Sequence, residues 1–214
     1  MTTSLSPTTR TQVVRNRERG AADRAALRDV LASGMIAHLG VLFDDAPRVL
    51  PTAYAYDPDG PDADGTLYIH GSVASRSLVD APDQTVCATI TVVDGLVLAR
   101  SGFHHSMNYR SAVILGQPRT VDEPAERDHA LDLIVDRLVP GRTKALRSPT
   151  RKELAATTVL AMPLHEASVK SRTGGADDEQ FDIDAGGVWA GVVPVLTTYG
   201  TPERNADCAA PSPF

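Results

Sequence analysis

Between residues 35 and 121 the chain carries six short runs rich in Val, Ile, Thr and Tyr: MIAHLGVLF, RVLPTAYAY, TLYIHG, VCATITVV, LVLAR and SAVILGQPRTV. Clusters such as DDAP, DPDGPDADG and DG separate them, and no crossover helix intervenes. Parallel neighbours need a connection of a dozen or more residues, so strands this closely spaced must pair antiparallel. The pattern predicts an α+β, mainly β fold, either an antiparallel barrel or a sandwich.

Helices flank this block. ADRAALRDVLASG places Ala26, Leu27, Val30 and Leu31 on one helical face with Gly34 as a stop. EPAERDHALDLIVDRLV does the same with Ala130, Leu131, Ile134, Val135 and Leu138, closed by Pro140 and Gly141. A third, shorter helix is predicted at PTRKEL, where Thr150 caps and Glu153 stands three residues on in a capping-box arrangement. TTVLAMPLHEASVKSR then reads as one long strand interrupted at Pro163, which an edge or a bulge tolerates. Residues 19–196 therefore form one domain. Residues 1–18, read as a flexible arm, and 197–214, read as a disordered tail, have a composition too poor in periodic apolar residues to offset the entropy of ordering.

Lys and Arg number 21 against 27 Asp and Glu, a net charge of −6, so nothing general attracts nucleic acid and a DNA-binding regulator is disfavoured. No window approaches 18 uninterrupted apolar residues and the first twenty lack an apolar signal core, from which a soluble, cytoplasmic protein with no membrane association is expected. Cys87 and Cys208 have neither disulfide density nor ligand spacing and read as two unrelated thiols. Metal motifs of the HExxH or CxxC kind, the phosphate loops GxGxxG and GxxxxGK[ST], and the GxSxG elbow are all missing from the sequence.

Chemistry concentrates in three places. ARSGFHHSMNYRS, residues 99–111, packs Arg100, Ser101, His104, His105, Asn108, Tyr109 and Arg110 between two apolar runs, more polar capacity than a turn requires. On extended backbone the adjacent histidines point to opposite faces, so one of them enters a given pocket. The bland alternative is a polar hairpin whose histidines bond backbone. In YIHGSVASRSLVDAP a strand ends at His70 and Gly71, and a short helix begins near Ser75; the hydroxyls of Ser72, Ser75 and Ser77 with the Arg76 fork suit a phosphate, and a plain serine cap is the alternative. SVKSRTGGADDEQ ends a strand with Lys170 and Arg172, where a solvated strand end is the alternative. His38, in an apolar strand, reads as a core histidine, and His129 and His165 as surface residues. Trp189 reads first as a packing anchor, with stacking on a planar cofactor as its other use.

In this order, LYIHGSVASRSL, DGLVLARSGFHHSMNYRSAVILG, LVPGR, SPTRKELAATTVL, SVKSRTG and VWAGVVPV resemble the FMN-binding split-barrel superfamily. These are the pyridoxamine 5′-phosphate oxidase-like proteins, and the resemblance is to the flavin-nucleotide-binding and nitroimidazole-resistance branch. It implies a six-stranded antiparallel Greek-key split barrel with flanking helices, usually a homodimer with cofactor clefts at the subunit interface. It further implies an oxidoreductase acting on a small molecule. Ser72, Ser75 and Arg76 would take the FMN phosphate, with Ser77 standing where the family carries a basic residue. The wider cofactor-binding set adds His70, Arg100, Asn108, Lys170, Arg172 and Trp189, and the catalytic set is His104, His105, Tyr109 and Arg110. The Arg-Leu pair that follows Trp in true pyridoxamine-phosphate oxidases is not present after Trp189, so that reaction is not carried over. Some split barrels bind haem through a histidine, which makes haem the alternative cofactor, with His70, His104 or His105 as axial ligand. A flavin-binding or sensing module without turnover is a further alternative.

Overall fold

Two apolar runs that the sequence separates at Asp94 and Gly95 are a single strand. In the computed structural model, which describes residues 4–5 and 8–212, β6 spans Val86–Leu98 and pairs along its length with β7 (Ser106–Gly116), the register shifting between Val93 and Gly95. A bulge there lets a long strand bend without losing its partner. The remaining strands are β1 (Gly20–Ala21), β2 (Ala37–Phe43), β3 (Ala46–Thr52), β4 (Tyr54–Asp57), β5 (Thr66–Ser72), β8 (Arg119–Thr120), β9 (Thr157–Pro163), β10 (Ala167–Arg172) and β11 (Gly191–Pro194). The helices are α1 (Arg24–Ser33), α2 (Arg76–Val79), α3 (Pro124–Leu138), α4 (Arg151–Ala155) and α5 (Gln180–Ala185).

One antiparallel sheet runs β1-β10-β7-β6-β2-β3, with β11 on the free edge of β6 beyond β2, and a second runs β4-β5-β9-β8. The fold is an α+β split barrel with flanking helices, as expected, but it has eleven strands among the described residues rather than six. Three expected strands divide because their parts serve different sheets: SAVILGQPRTV runs as β7 to Gly116 and resumes at Arg119 as β8. RVLPTAYAY breaks at Ala53 into β3 and β4, and TTVLAMPLHEASVKSR breaks at residues 164–166 into β9 and β10. The two-residue strand β1 and the tail strand β11 make up the rest.

The core lies between the sheets. Ile90, Ala112 and Ile114 of the larger sheet meet Leu67, Ile69, Leu160 and Met162 of the smaller one, and α1 closes the space with Leu27, Val30 and Leu31. Gly34 ends α1 where Tyr54 donates its hydroxyl hydrogen to the carbonyls of Leu31 (2.8 Å) and Gly34 (2.9 Å). Outside the smaller sheet, α3 buries Ala130 and Ile134 against Ala55, Tyr68, Val159 and Ala161, a second core. The capping box of α4 is present as expected: Thr150 accepts from the Glu153 backbone, and Glu153 accepts from that of Thr150.

The arm read as flexible carries contacts. Leu5 packs in the main core, and Thr8 and Arg10 both donate to Glu166. After Pro194 the described tail is exposed and forms no helix or strand. His38 is exposed on β2 rather than buried, because it shares the outward-facing positions of that strand with Gly40 and Leu42. Cys87 and Cys208 are free thiols. Among the described residues no helix is long and apolar enough to cross a membrane, and no group of three or more His, Cys, Asp or Glu is placed to hold a metal ion.

Candidate functional site

Along β5, Leu67 and Ile69 point into the main core, and Tyr68 points to the α3 side. His70 follows Tyr68 on that outer face. There the two halves of the α3 apolar stripe part company: Ala130 and Ile134 are buried, whereas Leu131 and Val135 are half-buried along a cleft of about 430 Å³. Leu146 and Leu154 form the opposite wall with Pro149 and Thr157, and Arg147 and Glu153 stand among the lining residues as a closely bonded ion pair. The Thr157 hydroxyl is already donated to the Glu153 carbonyl at 2.9 Å.

His70 lines this cleft with its Nδ1 inaccessible to solvent and without a hydrogen-bond partner. Burial pushes its pKa below the ordinary 6.5, so the neutral imidazole dominates near neutral pH. A neutral imidazole presents a nitrogen lone pair that can ligate a metal ion. The cleft went unread in the sequence because the stripe on α3 looks like ordinary core periodicity.

At the end of β5 the chain turns through residues 72–77. The Ala74 amide donates to Ser72 Oγ at 3.2 Å, and the Ser75 and Ser77 hydroxyls lie 3.0 Å apart. Arg76 is exposed and weakly paired, 3.3 Å from Asp44 and 3.9 Å from Asp80. Its guanidinium lies 4.1 Å from the centroid of the Phe43 ring, and that of Arg48 lies at the same distance from the same ring. Arg48, which sequence reading passed over, has no ion-pair partner among the described residues. Exposed pairs at such distances contribute less than about 1 kcal/mol, so a phosphate competes readily for Arg76.

The 99–111 segment is organised differently. Asp178 accepts from the Arg100 amide (2.8 Å) and from its Nη1 (2.7 Å), with the carboxylate side chain only 3% exposed. The two bonds, the amide one foremost, hold Asp178 below the usual carboxylate range. Arg172 donates to Asn108 Oδ1 and to the carbonyls of Gly174 and Gly175, while Asn108 donates to Gly174. Arg100, Asn108 and Arg172 thus clasp the 174–178 loop. His104 lies 3.9 Å from Glu179, and its neighbour His105 donates from Nδ1 to the Ser101 carbonyl at 2.8 Å. Extended backbone was expected for both histidines, but Gly102–His104 is a 3-10 turn, so strand alternation does not set their directions.

Arg110 is committed as well. It binds Asp94 through Nε and Nη2 and Asp29 and Ser33 through Nη1, bonds that raise its pKa, those to Asp94 foremost. Tyr109 is half-buried opposite Arg172 of β10, on the other face of β7 from Arg110. Lys170 donates to the Arg15 carbonyl at 3.1 Å. Trp189 is 65% exposed, which removes its reading as a packing anchor. The expected residues therefore do not form one site within a chain. They divide among the His70 cleft, the Arg76 turn and the Arg100 clasp, with Arg110, Lys170 and Trp189 apart from all three.

The pyridoxamine 5′-phosphate oxidase family model matches residues 23–171 of this chain. Among solved structures, the flavocytochrome Anf3 from Azotobacter vinelandii is 32% identical, with a TM-score of 0.86 over 98% of this chain and 96% of that one. The FAD and haem binding protein from Mycobacterium smegmatis is 37% identical, with a TM-score of 0.81 over 90% of this chain and 91% of that one. A Bacteroides thetaiotaomicron protein assigned to 5-nitroimidazole antibiotic resistance shares the fold at 21% identity and a TM-score of 0.56, over 71% of this chain and 85% of that one. No curated protein matches the chain in sequence.

Proposed function

The chain belongs to the pyridoxamine 5′-phosphate oxidase family, and from that premise we propose that it is a redox protein binding both a flavin nucleotide and haem, acting on a small molecule. The observation that carries the haem half is His70, a neutral imidazole on the wall of a mainly apolar cleft whose Nδ1 has no hydrogen-bond partner among the described residues. The likeness to a flavocytochrome and to an FAD and haem binding protein, each over nine-tenths or more of this chain, points the same way.

The residues fit these groups. His70 would hold the iron through an imidazole nitrogen, and Leu131, Val135, Leu146 and Leu154 would give the group apolar walls. Arg147 offers a cation for a carboxylate substituent. On the flavin side, Arg76 offers its fork to the phosphate with Ser72 and Ser75 in the same turn, and Arg48, stacked on the same Phe43 ring, offers a second cation. Haem and flavin supply one- and two-electron chemistry when bound; the chain anchors, orients and excludes water. His70 lines the apolar cleft, whereas His104 stands beside Glu179 and His105 bonds the Ser101 carbonyl, and neither is assigned a ligand role.

The protein is proposed to work as a homodimer. The outward face of the larger sheet carries the half-buried Thr89 of β6 and Tyr109, Ser111 and Val113 of β7 and the exposed Thr91 and Val93 of β6, with Val49, Leu96 and Met107 exposed nearby. A sheet face of small and apolar residues is suited to self-association. The absorption spectrum of the purified protein tests the cofactors: flavin bands together with a Soret band are expected, and a spectrum with neither after reconstitution refutes the reading. Acid extraction and chromatography then name the flavin, FMN or FAD, and sedimentation gives the subunit number.

A further inference from the structure

We infer that the segment 142–152 is a docking surface for a small acidic electron-carrier protein. The inference rests on the redox reading above and names the kind of partner that reading calls for. Between Arg142 and Lys152 the chain places Arg142, Lys144, Arg147, Arg151 and Lys152 and no acid. Elsewhere it sets 16 basic side chains against 27 acidic ones, so the rest of the molecule is strongly negative. All five basic residues are exposed. Arg147 pairs with Glu153 at 2.6 Å and Lys144 lies near Asp136, but Arg142, Arg151 and Lys152 make no ion pair among the described residues. Arginines elsewhere are treated differently: Arg24, Arg100, Arg110 and Arg119 each meet a carboxylate at 2.7 Å or less.

The unneutralised charge borders apolar surface. Leu146 stands within the segment, 46% exposed, and with Pro149 and Leu154 it forms the lip of the cleft that opens against α3. An apolar centre with a charged rim is the makeup of a protein interface, and electron-carrier complexes are the small, salt-sensitive kind. An acidic partner is repelled by the net charge of the rest of the chain and attracted here, so the charge distribution itself selects the face that docks. On the α3 side Asp128 and Asp132 share a hollow with Lys144 and Arg147, and this change of sign bounds the surface. Nucleic acid would meet those acids and would find no Phe, Tyr or Trp in the segment on which to stack a base. Because α3 packs outside the smaller sheet, the proposed dimer face on the larger sheet leaves this surface open.

The test is titration calorimetry of the full-length protein with an oxidised plant-type [2Fe–2S] ferredoxin, a small and strongly acidic carrier. Binding of one ferredoxin per chain is expected at about 20 mM salt, weakened at least roughly tenfold at about 500 mM, where exposed charges are screened. The triple variant Arg142→Glu, Arg151→Glu, Lys152→Glu should weaken it by about tenfold or more at low salt. A second triple variant, Arg15→Glu, Arg17→Glu, Arg28→Glu, changes net charge by the same amount at exposed arginines away from the segment, and should stay within about twofold of the wild type. Thermal midpoints confirm that both variants fold. No binding by the wild type at low salt overturns the inference, and so does an equal loss in the two triple variants, which would make the effect one of total charge. Tighter binding of phosphatidylglycerol vesicles or of a single-stranded oligonucleotide than of ferredoxin overturns the protein partner. The absorption spectrum is read separately: a chain that takes up neither cofactor yet binds ferredoxin through this segment overturns the redox reading and upholds the docking surface, whereas one that holds cofactor and binds no ferredoxin overturns the docking surface alone.

Discussion

Arg100 and Asp178 are joined at two points, backbone amide to Oδ1 at 2.8 Å and guanidinium to Oδ2 at 2.7 Å. The doubled contact pins the 174–178 loop to the end of β6 and takes up a cation that the sequence offers to a cofactor. Asp178→Ala should cost about 1.5 to 3 kcal/mol, the usual worth of hydrogen bonds to a charged group. Urea unfolding measures it, and amide exchange across residues 174–178 should rise with it. A loss below about 0.5 kcal/mol would show that the loop is held by Arg172 and Asn108 alone.

Arg76→Ala should weaken flavin binding roughly ten- to a hundredfold, and Arg48→Ala should do the same if both forks reach the phosphate. Asp44→Asn acts in the opposite direction. It removes a competitor 3.3 Å from Arg76, and the gain should be no more than about fivefold, the limit for an exposed pair. Titration of the apoprotein with the extracted flavin reads all three. Unchanged affinity in both arginine variants would move the phosphate to another part of the chain.

What could be read from the sequence was what depends on local order. The spacing of Leu27, Val30 and Leu31 and the Thr150 and Glu153 signature fix α1 and α4 without reference to distant residues. Sheet membership is another matter. The breaks at Ala53 and at residues 164–166 follow from which remote strand each half meets, and β-propensity is alike on both sides. The candidate site divides in the same way. Arg76 and its serines are contiguous and could be found, and His70 was singled out, but the wall that gives it meaning comes from α3 and from Leu146 and Leu154. The acids that occupy Arg100 and Arg110 lie 16 to 81 residues away along the chain.

Gly34 marks a close approach rather than an unusual backbone angle, since its φ is −73°. An added Cβ would overlap a methyl of Ile90 and come within 3.1 Å of the Tyr54 hydroxyl. The same glycine presents its carbonyl to Tyr54 and to Arg137, which caps the end of α1 from α3. Gly34→Ala should therefore destabilise the fold by about 1 to 3 kcal/mol, the usual cost of overpacking a core. Thermal unfolding checks it, and an unchanged midpoint would mean that α1 can shift without loss.

Glu153 gives the cleft a pH dependence whose direction is fixed by its partners. Arg147 donates to both its oxygens, at 2.9 and 2.6 Å, and the Thr150 amide donates at 2.7 Å. These bonds, Arg147 foremost, hold its pKa at about 2 against an ordinary 4.5. A carboxylate with a depressed folded-state value contributes fully above the unfolded value and loses that contribution as pH falls towards the folded one. The window is thus between about pH 4.5 and pH 2. Both side chains are well exposed, so the change is local: amide exchange over residues 147–153 should accelerate on acidification through this range while the main core stays protected. Glu153→Gln should show the faster exchange already at neutral pH and no further acid step. A titration of the Glu153 carboxyl carbon with its midpoint near 4.5 would show that the pair does not persist in solution, and that Arg147 is free to meet a ligand without first leaving a partner.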